Sequence, residues 1–423
     1  MTKYSTQIVT PEIIPEVVRK AFKQAEAEKP GACFIDFPEN IASAEIGAEP
    51  LKVQSAKPPV PPRDKVAQAA EIISNARYPI VMAGNGVVRA GASEQLVEFA
   101  EKLNVPVATT FMAKGTIPVS HPLALGTVGL QARDYVACGF DQADVIVCVG
   151  YDMVEYHPYL WHPDKDRRVI HVNALPAEVD EHYIVAAGVI GDIGASLEAI
   201  AAEAKPQQEF QAATLRQTIV DLLDEHADDM AFPVKPQKIV WDLRRALDPE
   251  DIVISDVGAH KMWMARMYQA ERPNTCIISN GFASMGIGVP GAIAAKLAFP
   301  DRTALTVTGD AGFLMNSQEM ETALRIGAPI IILIWNDSKY GLIEWHQLRH
   351  FGRDSHIDFN NPDFVKYAES FGAKGYRIES TSELVPTIRK AQEDDTVVVI
   401  DCPVDYSENM KLTEKLGGLT ARG

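Results

Sequence analysis

The apolar runs of this chain come at strand length and are separated by helical stretches, and that alternation restricts its fold more than any other feature. YPIVMAGNG (78–86), VPVATT (105–110), ADVIVCVG (143–150), RRVIHVNA (167–174) and GVIGD (188–192) read as strands, with a helix over 92–103 between the first two. A second series, strands 251–256, 303–308, 329–335, 375–378 and 396–401, alternates with helices over 236–247, 261–270, 285–298, 317–325, 362–372 and 382–392. These strands show little inside–outside alternation, so both faces need cover. That is the pattern of a parallel sheet between two helix layers. The expected fold class is α/β: two consecutive doubly wound parallel-sheet domains, over 66–203 and 236–423, preceded by a remnant of a third.

Residues 1–48 form that remnant in this reading. A helix over 11–28 places Ile14, Val17, Val18, Ala21 and Phe22 on one face, and GACFIDFP (31–38) is a short strand. One helix and one strand cannot bury a core by themselves. Residues 49–65 include the proline-rich PLKVQSAKPPVPPRDK and read as a linker; 204–235 is a second connection with a helix at 210–227. The polar tail after Pro403 is expected to pair with a neighbour or fray.

Composition excludes several functions. The chain has 423 residues, 47% of them hydrophobic, and a formal net charge of −17. No Lys/Arg-rich block appears, which argues against nucleic acid and anionic membrane surfaces as partners. The five cysteines, Cys33, Cys138, Cys148, Cys276 and Cys402, are widely spaced, form no CxxC and sit mostly in apolar runs. They read as small core residues in a reducing, cytoplasmic compartment. No apolar run reaches the ~18 residues of a membrane span.

Four stretches carry candidate chemistry. AGNGVVRAG (83–91) follows a strand and opens a helix, but lacks the third glycine of a dinucleotide fingerprint; it is a plain tight turn or a nucleotide site. ISDVGAHKMW (254–263) places Asp256, Gly258 and His260 just past a strand, with Asp256 either facing a ligand or capping a helix. In SNGFASMGIGVPG (279–291) small residues surround Met285, which is core filler or an apolar wedge on a helix N-terminus. TVTGDAGFLMN (306–316) puts Asp310 at a strand end between Gly309 and Gly312, with the backbone N–H groups of Ala311 and Gly312 open to a phosphate. Asp337 stands 27 residues later at the end of the next strand. The two carboxylates are independent caps, or they hold one Mg²⁺ together with a substrate phosphate.

At these residues the chain resembles the thiamine diphosphate enzymes, specifically the catabolic acetolactate synthases. The family signature, Gly-Asp-Gly followed by Asn-Asn one helix and one strand later, reads here Gly309-Asp310-Ala311 and Asn336-Asp337. Ala311 in place of glycine requires a negative φ, and Asp337 keeps an oxygen ligand in place of asparagine. The resemblance implies Mg²⁺ held by Asp310, Asp337 and the backbone carbonyl of Lys339. Val257, Gly258, Ala259 and His260 are then expected on the diphosphate side, with Gly309, Ala311, Gly312, Ser338 and Tyr340 around it. Ala283 and Met285 are expected to meet the aminopyrimidine. The implied activity is decarboxylation of pyruvate and condensation with a second pyruvate to 2-acetolactate, expected to be absent without the pyrimidine-binding domain; the alternatives are another thiamine diphosphate-dependent 2-ketoacid decarboxylase or carboligase, or a non-catalytic cofactor-binding fragment. YDMVEY (151–156) stands where FAD-binding synthases carry an arginine-bearing segment, so FAD is not expected. His346, in YGLIEWHQLRHFGR (340–353), is a pyruvate contact or a helix-surface histidine. The family's catalytic Glu lies early in the pyrimidine-binding domain and is expected outside this chain. A homodimer or homotetramer, or a separate chain supplying that domain, is therefore expected to complete the site.

Overall fold

The computed structural model describes residues 2–54, 58–129, 135–210, 212–409 and 412. Near the N-terminus, β1 (Tyr4–Gln7) and β2 (Cys33–Asp36) pair in parallel and carry the helix Ile14–Glu26. Ile8, Val17 and Ile41 make a small core there. Of the apolar face expected on that helix, Val17 and Ala21 are buried, but Val18 and Phe22 are exposed, because two strands cover only half of the stripe.

The first large sheet contains β3 (Pro79–Ala83), β4 (Val107–Thr109), β5 (Ala124–Thr127), β6 (Val145–Val149), β7 (Arg168–Asn173) and β8 (Val185–Ile190). Its order is β5-β4-β3-β6-β7-β8, and every pair is parallel. The second contains β9 (Ile252–Ser255), β10 (Cys276–Ile278), β11 (Ala304–Gly309), β12 (Ile331–Asn336), β13 (Lys374–Arg377) and β14 (Val398–Pro403). Its order is β10-β9-β11-β12-β14-β13, again all parallel. Each sheet is doubly wound. Val81, Val145 and Val147 pack into one core and Ile80, Met82 and Ile146 into another on the opposite face. Val253, Leu305 and Leu333 do the same against Ile254, Ile332 and Ile334.

Each sheet has a switch point from which the connections leave in opposite directions: between β3 and β6 in the first, and between β9 and β11 in the second, whose order turns back again at β13 and β14. Crevices open outside the carboxyl ends of strands at such switch points. The edge strands β5 and β10, four and three residues long, were not expected. The helices Arg63–Ser74 and Tyr135–Gln142 were not expected either. The first starts inside the expected linker, right after Pro62, and buries Val66, Ala69, Ala70 and Ile73 at helical spacing. After Pro403 the chain pairs with the preceding connection, Val404 bridging Val234 and the Asp405 N–H donating to the Val234 carbonyl. Residues 406–409 and 412 of the tail are also described, and for the rest of the tail the expectation falls outside the described residues. Cys148, Cys276 and Cys402 are buried and free; the side chain of Cys138 is outside the described set. No helix among the described residues is long and apolar enough to cross a membrane.

Candidate functional site

The second switch point is built around Asp310. β11 ends in extended backbone at Gly309, and Asp310 opens the helix Asp310–Asn316. Asp310 is 1% exposed. Its Oδ1 accepts the Ala311 N–H at 2.8 Å, and its Oδ2 accepts the Ser338 N–H at 2.7 Å and Asn361 Nδ2 at 2.7 Å. Ser338 reaches it because its φ is +59°, a left-handed turn that folds the chain back directly after β12. Ala311 lies in regular helix and is not among the positive-φ residues, so the missing signature glycine costs no backbone strain. One expectation is corrected here: the Ala311 N–H is already taken by Asp310 and is not open to a phosphate.

Asp337 faces the same space from the end of β12, the strand paired with β11. Burial, and next the negative charge of Asp310, push its carboxyl up to about 7. Burial also raises Asp310, against its hydrogen bonds. The nearby Lys339 ammonium pairs instead with Glu344 at 2.7 Å. A buried and a half-buried carboxylate are thus left facing each other with little cationic compensation. Among the described residues no group of three or more His, Cys, Asp or Glu surrounds them. A hard divalent cation that uses two carboxylates, a backbone carbonyl and ligand oxygens fits this donor set, whereas a softer all-protein metal centre does not.

Nearly all the expected site residues line one cleft of about 510 Å³. Val257, Gly258, Ala259 and His260 form one wall, and Met285 stands on another. Gly309, Asp310, Ala311 and Gly312 also line it, together with Asp337, Lys339 and Tyr340. Gly258 has no substitute: a Cβ there would lie 2.8 Å from the His260 ring. His260 is buried edge-to-face against Trp335, and its Nε2 has no hydrogen-bond partner. Burial pulls its imidazole down to about 4, against the charge of Asp256, so the ring is neutral at pH 7. With the other ring nitrogen donating to the Asp256 carbonyl, the orphaned Nε2 of the neutral ring is an acceptor and a further place for a ligand N–H or O–H.

Three expected residues stand apart from the lining. Ser338 acts through its backbone, as described. Ala283 occupies a left-handed turn, φ +48°, two residues before Met285. His346 lies on the exposed face of the helix Gly341–Phe351 and stacks on His350, while Gly341, Leu342 and Ile343 of that helix face the cleft. Met285 precedes the helix Gly288–Ala298 rather than starting it, and belongs to none of the core clusters. Asp256 does not line the cleft. Its carboxylate accepts the N–H groups of Gly286 (2.9 Å) and Gly288 (3.4 Å) and the Thr308 hydroxyl (3.1 Å), fastening the Met285 turn to the strand ends.

Sequence reading missed Asn361 and Tyr406. Asn361 Nδ2 reaches Asp310, Asn336 Oδ1 (2.9 Å) and Ser338 Oγ (3.2 Å). It sits in a polar loop without periodicity, brought back by the Lys339–Asp358 bridge and by the Tyr340 N–H donating to the Ile357 carbonyl at 2.9 Å. Tyr406, from the segment read as tail, packs on Trp335 behind Asp337.

The first switch point is closed. A Cβ on Gly84 would lie 2.5 Å from Tyr151 Cα, and one on Gly86 2.6 Å from Gly150 Cα. The Asn85 N–H donates to both Glu155 carboxylate oxygens, at 3.1 and 3.2 Å, and the Thr110 hydroxyl donates to the same carboxylate. The AGNG stretch is therefore a tight turn with its helix start already capped.

The chain is similar to known proteins along most of its length. Residues 66–200 match the thiamine pyrophosphate enzyme central domain, and residues 256–402 match the thiamine pyrophosphate enzyme C-terminal TPP-binding domain. Over 421 residues the chain is 35% identical to an acetolactate synthase of Bacillus subtilis (strain 168), covering 97% of this chain and 74% of that protein. It is 33% identical over 445 residues to a probable acetolactate synthase large subunit of Methanocaldococcus jannaschii, covering 99% and 74%. A catabolic acetolactate synthase of Raoultella terrigena is 32% identical over 427 residues, covering 98% and 76%.

Proposed function

Because this chain belongs to the thiamine pyrophosphate enzyme family, we propose that it is an acetolactate synthase-type carboligase, which decarboxylates pyruvate and joins the product to a second pyruvate as 2-acetolactate. The Asp310–Asp337 pair at the open switch point carries this reading, supported by the names of the similar proteins. When bound, thiamine diphosphate supplies the electron sink that lets a 2-ketoacid lose CO₂.

The chain's own groups bind and orient in this reading. Asp310, Asp337 and the Lys339 carbonyl hold Mg²⁺ and through it the diphosphate. His260 Nε2 offers a neutral polar contact on the cleft wall, beside Gly258 and Ala259. Met285 and Ala283 present an apolar side chain and backbone to the aminopyrimidine. Trp335 and Tyr406 keep water from the rear of the carboxylate pair, which strengthens its hold on a cation. Phe282, 93% exposed beside the Met285 turn, is a ring that a second subunit would bury, in keeping with a homodimer or homotetramer. FAD has no part in the proposal, since the Glu155 carboxylate occupies the N–H group that would meet a dinucleotide phosphate.

Calorimetric titration with thiamine diphosphate and Mg²⁺ tests the site. Wild-type chain should bind, and the Asp310→Ala, Asp337→Ala double variant should lose affinity at least a hundredfold; equal affinities would overturn the assignment. Incubation with pyruvate tests the reaction: 2-acetolactate supports the proposal, and acetaldehyde without it would make the chain a simple decarboxylase.

A further inference from the structure

A second cleft, of about 1230 Å³, lies between the β5 edge of the first sheet, the connecting helix Ala213–Asp224 and the last turn of the helix Ala259–Met267. It shares no lining residue with the carboxylate cleft. Leu125, Val136, Ile219, Leu222, Leu223 and Trp263 make its walls largely apolar.

Set into these walls are cations whose hydrogen-bond partners are neutral. Lys114 is 3% exposed, and its ammonium donates to the Thr127 hydroxyl at 3.1 Å and the Ala265 carbonyl at 3.0 Å, leaving one N–H over. Arg216 donates from Nη2 to the Val119 carbonyl at 2.6 Å, and its Nη1 is buried without a partner. Among the described residues neither Lys114 nor the half-buried Arg216 has a carboxylate within 4.0 Å, although the charge of Glu271 acts on Arg216 from farther away. Burial lowers the Lys114 ammonium to about 8, and the neighbouring positive charge of Arg266 acts in the same direction. Glu408, the acid at the other end of the cleft, accepts Gln237 Nε2 at 2.7 Å and stands 3.9 Å from His226 Nε2 and 4.0 Å from Lys235 Nζ.

Buried cations are ordinarily paired, because an unpaired charge away from water is costly. We propose that this cleft is a binding site for a small monocarboxylate with an apolar body, its carboxylate between Lys114 and Arg216 and its hydrocarbon against Leu125, Ile219 and Leu223. The apolar walls take the body, and the two cations select the sign of the head. A neutral or cationic molecule of the same length gains only the first.

Calorimetry on the full chain with octanoate, octanol and octylammonium tests this. Octanoate should bind at least tenfold more tightly than octanol, and octylammonium least. Lys114→Gln should weaken octanoate at least tenfold, leave octanol within twofold and leave thiamine diphosphate affinity unchanged. Arg216→Gln should act in the same direction and serves where Lys114→Gln alters folding, as judged by thermal melting. Octanoate and octanol binding alike, or octanoate affinity unchanged in both variants, would overturn the proposal.

Discussion

Both sheets have a switch point in their strand order, β3/β6 in one and β9/β11 in the other, yet the first is closed and the second open. At β3/β6 two glycine turns press backbone on backbone, and Glu155 takes the first helical N–H. At β9/β11 the corresponding glycines leave a cleft, and the carboxylate that caps the turn, Asp310, faces a second one. Topology therefore supplies a crevice at both places, but side-chain chemistry decides which is usable. A single capping carboxylate closes a site, whereas a pair that no lysine neutralises keeps a place for a cation.

The largest expected effect lies at the closed end. Gly86→Ala forces a methyl group to within 2.6 Å of Gly150 Cα and should destabilise the fold by about 3 kcal/mol in urea unfolding. A stable variant that gained nucleotide affinity would mean that the turn is a latent site. At the open end, Asp310→Ala alone should weaken Mg²⁺-dependent thiamine diphosphate binding roughly a hundredfold, about 2.7 kcal/mol, and lower the melting temperature, since three donors lose their acceptor. Asn361→Ala removes a hydrogen bond to that carboxylate and should weaken Mg²⁺ roughly tenfold in calorimetry, about 1.4 kcal/mol. A change in melting temperature without a change in Mg²⁺ affinity would reduce Asn361 to a loop anchor.

The Glu155 carboxylate makes a pH prediction of definite sign. Burial pushes it up to about 7, against the hydrogen bonds from Thr110 and Asn85. The stability linked to its bound proton is complete below the ordinary carboxyl range and is lost as pH rises through about 7. Glu155→Gln cannot lose that proton. Its stability relative to wild type should therefore improve steadily from pH 5 to pH 8, and a constant difference would show that Glu155 is ionised throughout. The smallest effect belongs to His346→Ala, which should change thiamine diphosphate affinity less than twofold, since the ring stacks on His350 outside the cleft.

Asp310 and Asp337 were legible because a polar residue stopping an apolar run marks a strand's carboxyl end, and such ends collect in a parallel sheet. The glycines and Met285 were legible as an anomaly: small residues crowded where a helix former would serve better. Asn361 left no signal. Its loop is polar and aperiodic, and it meets Asp310 only because chain 357–359 folds back over the Ser338 turn. Glu155 read as one acid in a loop, and nothing in its spacing related it to Asn85 or Thr110. His346 is a different case, since its sequence fitted a substrate contact and a helix-surface histidine equally and the structure puts it on the exposed face. Its helix borders the cleft, but the face a residue takes depends on helix orientation, which sequence proximity to Asp337 does not specify.

Local covalent order was enough to determine two doubly wound sheets, their apolar strands and the two acids at strand ends, since periodicity and strand termination are properties of consecutive residues. Which acid would be capped and which left facing another was decided by strand adjacency. β11 lies beside β12, and this brings Asp310 and Asp337 into one unscreened space, while β3 lies beside β6, and this brings Glu155 onto the start of a helix. Electrostatic energy depends on distance and burial, and both exist only once the sheets have formed.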